Sequence, residues 1–280
     1  MNPLIQKTDD LGSTTYNGYS YGLGVTLSHY QKKPVINPYN GKKVLAIIGA
    51  SNSAQEGLAF INYCNLMRSN IDKDTKIVNL AIPAKDVNRW KNPNDTIWNS
   101  VTQMLSTAGL TYWDIQAIAF ETDDLRDRDN TFPDAPSRLA DKILEAVRVF
   151  KLKFPNLKQC ELISRAHTEL VGSSEAKHAE PAGWHNGWSC KWAVERAIAN
   201  PSLASGVWLS DILGFYTDGD KMRVDGFVQP DNCFEPDGVH PSEEGEESRA
   251  HLMFQYYLNY DWFARNTMTT LRYVIENFIS

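Results

Sequence analysis

The sequence lacks the features that mark metal clusters, membrane segments and secreted precursors. Only four of its 280 residues are cysteines, and they lie far apart with no Cys-x-x-Cys pair, which disfavours a metal cluster. No apolar run approaches the ~18 residues that a membrane-spanning helix needs. The start, MNPLIQKTDD, has neither the basic head nor the apolar stretch of a secretory signal. We therefore expect a soluble chain with no membrane partner, and its cellular compartment stays open.

An excess of basic residues is also missing. The formal net charge is -6 with both signs interspersed, so nucleic acid is not expected as the main partner. With 42% hydrophobic residues and 8 tryptophans the chain can bury a sizeable core, and no linker divides its middle. We predict an irregular lead-in over residues 1–40, one domain over 41–264 and a C-terminal extension over 265–280. Whether the chain forms a homo-oligomer is left open.

Short apolar runs alternate with segments of helical periodicity along the chain. The runs predict strands at residues 44–48, 76–80, 115–120, 160–164 and 207–209. The spacing predicts helices at 55–68, at about 98–105 with a closing Gly109, and at 134–154, 186–199 and 242–260. This alternation predicts an α/β fold whose parallel sheet has helices on both faces and a ligand site beyond the carboxyl ends of its strands.

The segment VLAIIGASNSAQ, from Val44 to Gln55, joins a buried strand to a tight turn and the start of a helix. This layout exposes a nucleophilic hydroxyl at the edge of a sheet, and here the hydroxyl is that of Ser51. A serine at such a turn can equally be a helix cap. A partner histidine is needed to decide between the two interpretations, and Ser53 is the next nucleophile to consider.

A candidate partner occurs far downstream, in the segment DGVHP. A serine needs a base to take its proton, and the base needs an acid to hold its tautomer. Asp237 and His240, three residues apart on one loop, suit these two roles. The alternative is a simple Asp-Gly turn that leads into a helix capped by Ser242.

Together these two segments resemble the SGNH (GDSL-like) hydrolase family. The likeness is greatest to a bacterial subgroup, through SNSAQE, EPAGWHNGWSCKW and DGVHPSEEG, and it covers residues 42–260. The resemblance implies a three-layer α/β/α sandwich with a flavodoxin-like parallel sheet of about five strands. It also implies that Ser51 is the nucleophile, His240 the general base and Asp237 the orienting acid.

The residues that would bind the oxyanion depart from the family pattern. The resemblance assigns this role to Ser51, to Ala84 (less well, Ala81) in place of a glycine, and to Asp123 in place of an asparagine. An ionised Asp123 would repel a developing oxyanion, and losing one donor costs on the order of 10²–10³ in rate. A protonated Asp123 could still donate, or Asn52 could substitute.

Three residues are the candidates for binding substrate, namely Asn52, Trp184 and Arg165. We predict that Trp184 lies in the loop before a helix, where its ring could support a sugar. The acidic run ETDDLRDRD could hold Ca²⁺ through oxygen ligands, although a solvated loop with internal arginine partners fits it better.

His167, His178 and His185 have no metal-ligand spacing, and no metal is predicted. The sequence thus favours a serine ester hydrolase without a cofactor, acting on a small-molecule or polysaccharide ester. The favoured substrate is an O-acetylated carbohydrate. The alternative is a carbohydrate-binding or assembly module that keeps the fold after losing its oxyanion geometry.

Overall fold

The computed structural model describes residues 15–16, 19–20, 32–127, 129, 131–172, 178–223 and 225–265. Most of the predicted lead-in and almost all of the predicted extension lie outside these ranges. Within the lead-in, the short strands β1 (Thr15–Tyr16) and β2 (Tyr19–Ser20) pair antiparallel. The predicted domain boundaries stay predictions.

Five further strands form one parallel sheet, as predicted. They are β3 (Lys43–Ile48), β4 (Thr75–Asn79), β5 (Ile115–Glu121), β6 (Gln159–Ile163) and β7 (Trp208–Ser210). The spatial order β4-β3-β5-β6-β7 is that of flavodoxin-like sheets. In such sheets the strand order reverses at one point, which here lies between β3 and β5. The predicted fold class is confirmed, and the reversal places the ends of β3 and β5 side by side.

Six helices accompany the sheet in the described ranges. They are α1 (Ser51–Leu66), α2 (Val87–Trp90), α3 (Ile97–Thr107), α4 (Asp134–Lys153), α5 (Ala182–Ala199) and α6 (Glu243–Tyr257). Gly109 follows α3 with φ +63°, in the left-handed conformation typical of a helix end. The first helix and α5 each begin four residues earlier than predicted, which matters for the site.

Strand β3 lies in the middle of three layers and is buried on both faces. Because side chains alternate along a strand, Val44, Ala46 and Ile48 join one core and Leu45 and Ile47 the other. The first core contains residues of α3, α4 and α5, and the second contains residues of α1 and α6. This accounts for the continuous apolar run in the sequence, which a half-exposed strand would not show.

The four cysteines are buried free thiols. Burial raises the pKa of Cys64 to about 12, so this thiol is unreactive at neutral pH. None of the helices that the structure describes is long and apolar enough to cross a bilayer.

Candidate active site

Ser51 is the first residue of α1, directly after the turn made by Gly49 and Ala50. The N-cap position belongs to Ala50, and no side chain caps this helix end. The capping interpretation of Ser51 is therefore wrong, and its hydroxyl is available for other contacts. Gly49 is required by packing, because a Cβ there would lie 2.0 Å from the Ser53 hydroxyl oxygen and 2.3 Å from the Glu121 carbonyl oxygen.

The loop before α6 is shaped by one carboxylate, that of Asp237. Its Oδ1 accepts hydrogen bonds from the backbone N–H groups of Val239 (2.8 Å) and His240 (2.9 Å). Its Oδ2 lies 2.6 Å from Nδ1 of the His240 ring. The Asp237 side chain therefore does both things that the sequence allowed: one oxygen stabilises the turn and the other contacts the His240 ring.

The His240 ring joins this loop to α1. Its Nε2 lies 2.8 Å from the Ser51 hydroxyl oxygen, so the three side chains form one continuous hydrogen-bonded chain. Burial raises the pKa of Asp237, but the hydrogen bonds from the His240 backbone, the His240 ring and the Val239 backbone outweigh it and lower the pKa overall. Asp237 is therefore ionised at neutral pH, as the acceptor of an imidazole N–H should be.

Asn52 holds the histidine loop in place. Its side-chain amide donates to the Val239 carbonyl oxygen at 3.0 Å, and the residue is only 8% exposed. Asn52 does line the cavity described next. This hydrogen bond ties the start of α1 to the loop that carries His240 and uses one of the two N–H donors of the amide.

A cavity of about 100 Å³ opens beside Ser51 at the carboxyl edge of the sheet. It brings together six of the residues singled out from the sequence: Ser51, Asn52, Ala84, Asp123, Arg165 and His240. Four of them follow the ends of β3, β5 and β6, and the other two lie on the loop after β4 and the loop before α6. The predicted ligand edge of the sheet thus collects these residues in one place.

Ala84 has φ +60°, in the left-handed region that glycine tolerates and alanine does not favour. The resemblance places a glycine at this position of the family, so the conformation agrees with Ala84 rather than Ala81. Ala81 is not among the described residues with positive φ and does not line the cavity.

Asp123 is ionised, which excludes the protonated donor that the sequence left open. Burial raises its pKa, but the Arg165 charge, the His178 ring and the backbone N–H of Asp124 outweigh it and hold the pKa at about 2. Nη1 of Arg165 donates directly to Oδ2 of Asp123, and His178 lies 3.9 Å from the same oxygen. The Asp123 carboxylate is thus one half of a partly buried ion pair.

Two residues at this site had no assigned role in the sequence. His178 lines the cavity beside Asp123. Asn186, 1% exposed, accepts from the Arg165 backbone N–H (3.0 Å) and donates to the Thr122 carbonyl oxygen (2.7 Å). It therefore ties the segment after β5 to the segment after β6. The spacing of neither residue indicated these contacts.

The prediction for Trp184 is wrong. The residue lies inside α5 rather than in a loop, and it is 2% exposed. Its ring packs against those of Trp188 (5.9 Å between centroids) and Tyr216 (5.7 Å). It presents no free face to a sugar, because these aromatic neighbours form a small core of their own.

A larger, open groove of about 630 Å³ meets the site on the other side of Ser51. It is lined by Ser51, Ala54, Gln55, Leu58, Pro83, Glu235, Pro236, Asp237 and His240. Leu58 is 57% exposed on its floor. A ligand attached at Ser51 therefore has a small cavity on one side and a wide groove on the other.

Ser53 does not offer a second nucleophile. It is 3% exposed, and its hydroxyl lies 3.3 Å from the Glu121 carbonyl oxygen and 3.4 Å from a side-chain oxygen of the same residue. Burial and the neighbouring Glu56 raise the pKa of Glu121 well above its usual range. Glu56 itself pairs with the fully buried Arg249 at 2.6 Å.

The acidic run after β5 is occupied by protein cations. Lys142 pairs with Asp124, and Arg138 pairs with Asp127 and Asp129. In the part of the chain that the structure describes, no group of three or more His, Cys, Asp and Glu side chains could hold a metal ion. The predicted internal arginine partners are wrong for these carboxylates, because Arg138 and Lys142 belong to α4, and the Asp124 side chain is only 5% exposed.

No protein-family model matches the chain, and no curated protein matches it. Its fold is similar to that of an acetylxylan esterase, Axe2 from Geobacillus stearothermophilus, solved as a catalytic mutant, at 13% identity and a TM-score of 0.45 over 83% of this chain and 100% of that one. A protein from Slackia heliotrinireducens, described as a putative SGNH hydrolase, is 15% identical. It gives a TM-score of 0.44 over 76% of this chain and 97% of that one. A protein from Arabidopsis thaliana is 11% identical and gives a TM-score of 0.43, over 73% of this chain and 68% of that one. Likenesses this distant say nothing about the substrate or activity of the chain.

Proposed function

We propose that the chain is a serine ester hydrolase of the SGNH type. The Ser51 oxygen attacks the acyl carbonyl carbon while His240 Nε2 takes the hydroxyl proton. His240 then gives this proton to the leaving alkoxide as the ester C–O bond breaks. Water then attacks the acyl carbon while the same nitrogen takes its proton. His240 returns this proton to the Ser51 oxygen as the acyl–Ser51 bond breaks, which releases the carboxylic acid and regenerates the free enzyme.

The observation that carries this proposal is the unbroken chain from Asp237 through His240 to Ser51. The 2.8 Å bond between Ser51 and His240 is within the range needed for proton transfer, and the 2.6 Å bond to Asp237 orients the ring. A structural cap or a simple turn needs neither bond. The ionised Asp237 also favours the imidazolium that forms when His240 takes the proton.

Backbone groups supply the first oxyanion donors in this proposal. Ser51 is the first residue of a 16-residue helix, so its N–H has no partner within the helix and lies at the positive end of the helix dipole. The left-handed Ala84, in the same cavity, is the second donor. Such fixed donors stabilise a developing charge without reorganisation.

The two cavities suggest where the acyl group and the alcohol of an ester substrate would lie. The cavity of about 100 Å³ suits a short acyl group such as acetyl, and the groove of about 630 Å³ suits a larger alcohol. We favour an O-acetylated carbohydrate as the substrate. The carbohydrate part rests on the family resemblance alone, because Trp184 supports no sugar and the groove has an apolar floor at Leu58.

A second candidate is a binding or assembly module that no longer turns over esters. The ionised Asp123 favours it, because the resemblance places a donating asparagine there. Hydrolysis of p-nitrophenyl acetate separates the two candidates. We expect turnover by the wild-type protein and none above background by Ser51→Ala, with the exposed Ser106→Ala on α3 as the matched control.

A series of p-nitrophenyl esters tests the acyl assignment. We expect kcat/KM to be highest for acetate and to fall steeply at butyrate and longer chains. Equal rates across the series would contradict the assignment of the small cavity to the acyl group. Equal background rates for wild type and Ser51→Ala would favour the non-enzymatic module.

A further inference from the structure

Arg165 lines the same small cavity as the proposed nucleophile Ser51. It is the second residue after β6, is 6% exposed and lines the cavity that also contains Ser51 and Ala84. Its backbone N–H is held by the buried side chain of Asn186. The side chain therefore extends from a fixed point at the edge of the sheet, which is the kind of support a preorganised donor needs.

The guanidinium has more donors than its partner uses. An arginine carries five N–H donors in a planar fork. Within the described residues the side chain makes one hydrogen bond, from Nη1 to Oδ2 of Asp123. The remaining donors have no acceptor there, and the residue lines the cavity. Asp123 thus fixes one arm of the fork and leaves the others for a ligand.

We propose that Arg165 is a catalytic residue that donates to the oxyanion of the tetrahedral intermediate, with Asp123 as its positioning residue. This inference rests on the proposed function. An ionised Asp123 beside the oxyanion would repel it if it acted alone. In this proposal the carboxylate instead holds the Arg165 cation that faces the developing charge. The missing asparagine amide is then replaced by a charged donor at the end of the next strand.

Arg165 is better suited to the charge that develops on the carbonyl oxygen during the reaction than to a permanent negative charge on the substrate. The ion pair with Asp123 is neutral as a whole, so it attracts a permanent carboxylate only weakly. A charge that builds up on a carbonyl oxygen within hydrogen-bond distance gains from the free N–H groups at the moment it forms. The effect should therefore lie in kcat rather than in substrate binding.

The test is p-nitrophenyl acetate hydrolysis by Arg165→Ala and Arg165→Lys, with Arg138→Ala as the control. Arg138 pairs with Asp127 and Asp129 in the neighbouring acidic run and does not line the cavity. We expect both Arg165 variants to lose on the order of 10²–10³ in kcat with KM changed only a few-fold. Arg138→Ala should stay within about two-fold of wild type, as expected for a residue outside the site.

Rescue distinguishes a missing donor from a damaged fold. Guanidinium chloride in the millimolar range, far below denaturing concentrations, should restore part of the Arg165→Ala rate. Removing Arg165 alone leaves the Asp123 carboxylate without its partner, which destabilises the protein. The double variant Arg165→Ala/Asp123→Ala removes both charges. We expect it to fold and to stay slow, with weaker rescue because the anchor for the added ion is gone.

The outcomes separate this inference from the proposed function. If wild type is active, Ser51→Ala is inactive and Arg165→Ala keeps its kcat, then Arg165 is no oxyanion donor. A raised KM with unchanged kcat, or a loss that guanidinium does not rescue at all, overturns the inference in the same way. If wild type and Ser51→Ala are equally slow, the proposed function itself fails, and the role of Arg165 fails with it.

Discussion

The Ser51 hydroxyl lies 2.8 Å from Nε2 of His240, although 189 positions of sequence separate the two residues. Their proximity follows from the packing of α1 beside α6 on one face of the sheet. Phe60 of α1 and Tyr257 of α6 meet there, with ring centroids 5.8 Å apart. Because Ser51 begins α1 and His240 precedes α6, this helix pair sets the distance between nucleophile and base.

The first prediction concerns this pair. Ser51→Ala and His240→Ala should each reduce kcat on p-nitrophenyl acetate by on the order of 10⁴–10⁶ while the melting temperature stays nearly unchanged. Because the two side chains act as a unit, the double variant should be little slower than either single one. Multiplicative losses in the double variant would mean that the residues serve separate steps.

Asp237→Asn should slow the reaction without unfolding the loop. The asparagine oxygen can still accept from the Val239 and His240 backbones, but the group facing His240 Nδ1 loses its charge. We expect kcat to fall by as much as ~10⁴, because the imidazolium loses its counter-charge and its tautomer is no longer fixed. The exposed Asp231→Asn is the control. Wild-type kcat in Asp237→Asn would exclude the orienting role.

Ala84→Gly should stabilise the protein. Ala84 has φ +60°, a conformation that costs an L-residue ~1 kcal/mol or more and glycine almost nothing. We expect the free energy of unfolding in urea to rise by less than about 1 kcal/mol, because the greater freedom of glycine in the unfolded chain offsets part of the relieved strain. Esterase activity should be retained because the backbone N–H remains. Ala81→Gly, where no positive φ has to be relieved, should change stability in the opposite direction. Equal effects of the two changes would contradict the argument from strain.

Glu161→Gln should change how stability depends on pH. Burial raises the pKa of Glu161 from its ordinary value of 4.5 to about 8, against hydrogen bonds from Tyr256, Leu213 and Ser210 that lower it. The folded state therefore binds more protons than the unfolded state between these two values, and stability falls as pH rises from 4.5 towards 8.

A glutamine at position 161 mimics the neutral carboxyl and does not ionise. The melting temperature of Glu161→Gln, measured from pH 4.5 to 8, should therefore decline less than that of wild type, with the gap greatest near pH 8. The exposed Glu247→Gln on α6 is the matched control. Parallel curves for wild type and Glu161→Gln would mean that Glu161 is ionised in the folded protein across this range.

The strands and most helices could be predicted because their signals are local. The run Val44 to Ile48 is apolar throughout, and its short length and β-branched residues indicate a strand buried on both faces. The early start of α5 was missed for a physical reason. Gly183 and Gly187 lower helix propensity, so the sequence placed the start after the first of them. In the fold Gly183 is needed, because a Cβ would lie 2.9 Å from the Ala166 carbonyl oxygen.

By itself the sequence determined the order of the five parallel strands and of every helix except the short α2, and the two segments that carry Ser51 and the Asp237–His240 pair. Periodicity and turn chemistry are properties of neighbouring residues. Only the tertiary structure decided that Trp184 is buried and that Arg165 stands beside Asp123. Those relationships depend on which side chains from separate strands point into the same small space. That is fixed by how the strands pair and the helices pack, and no spacing along the chain records it.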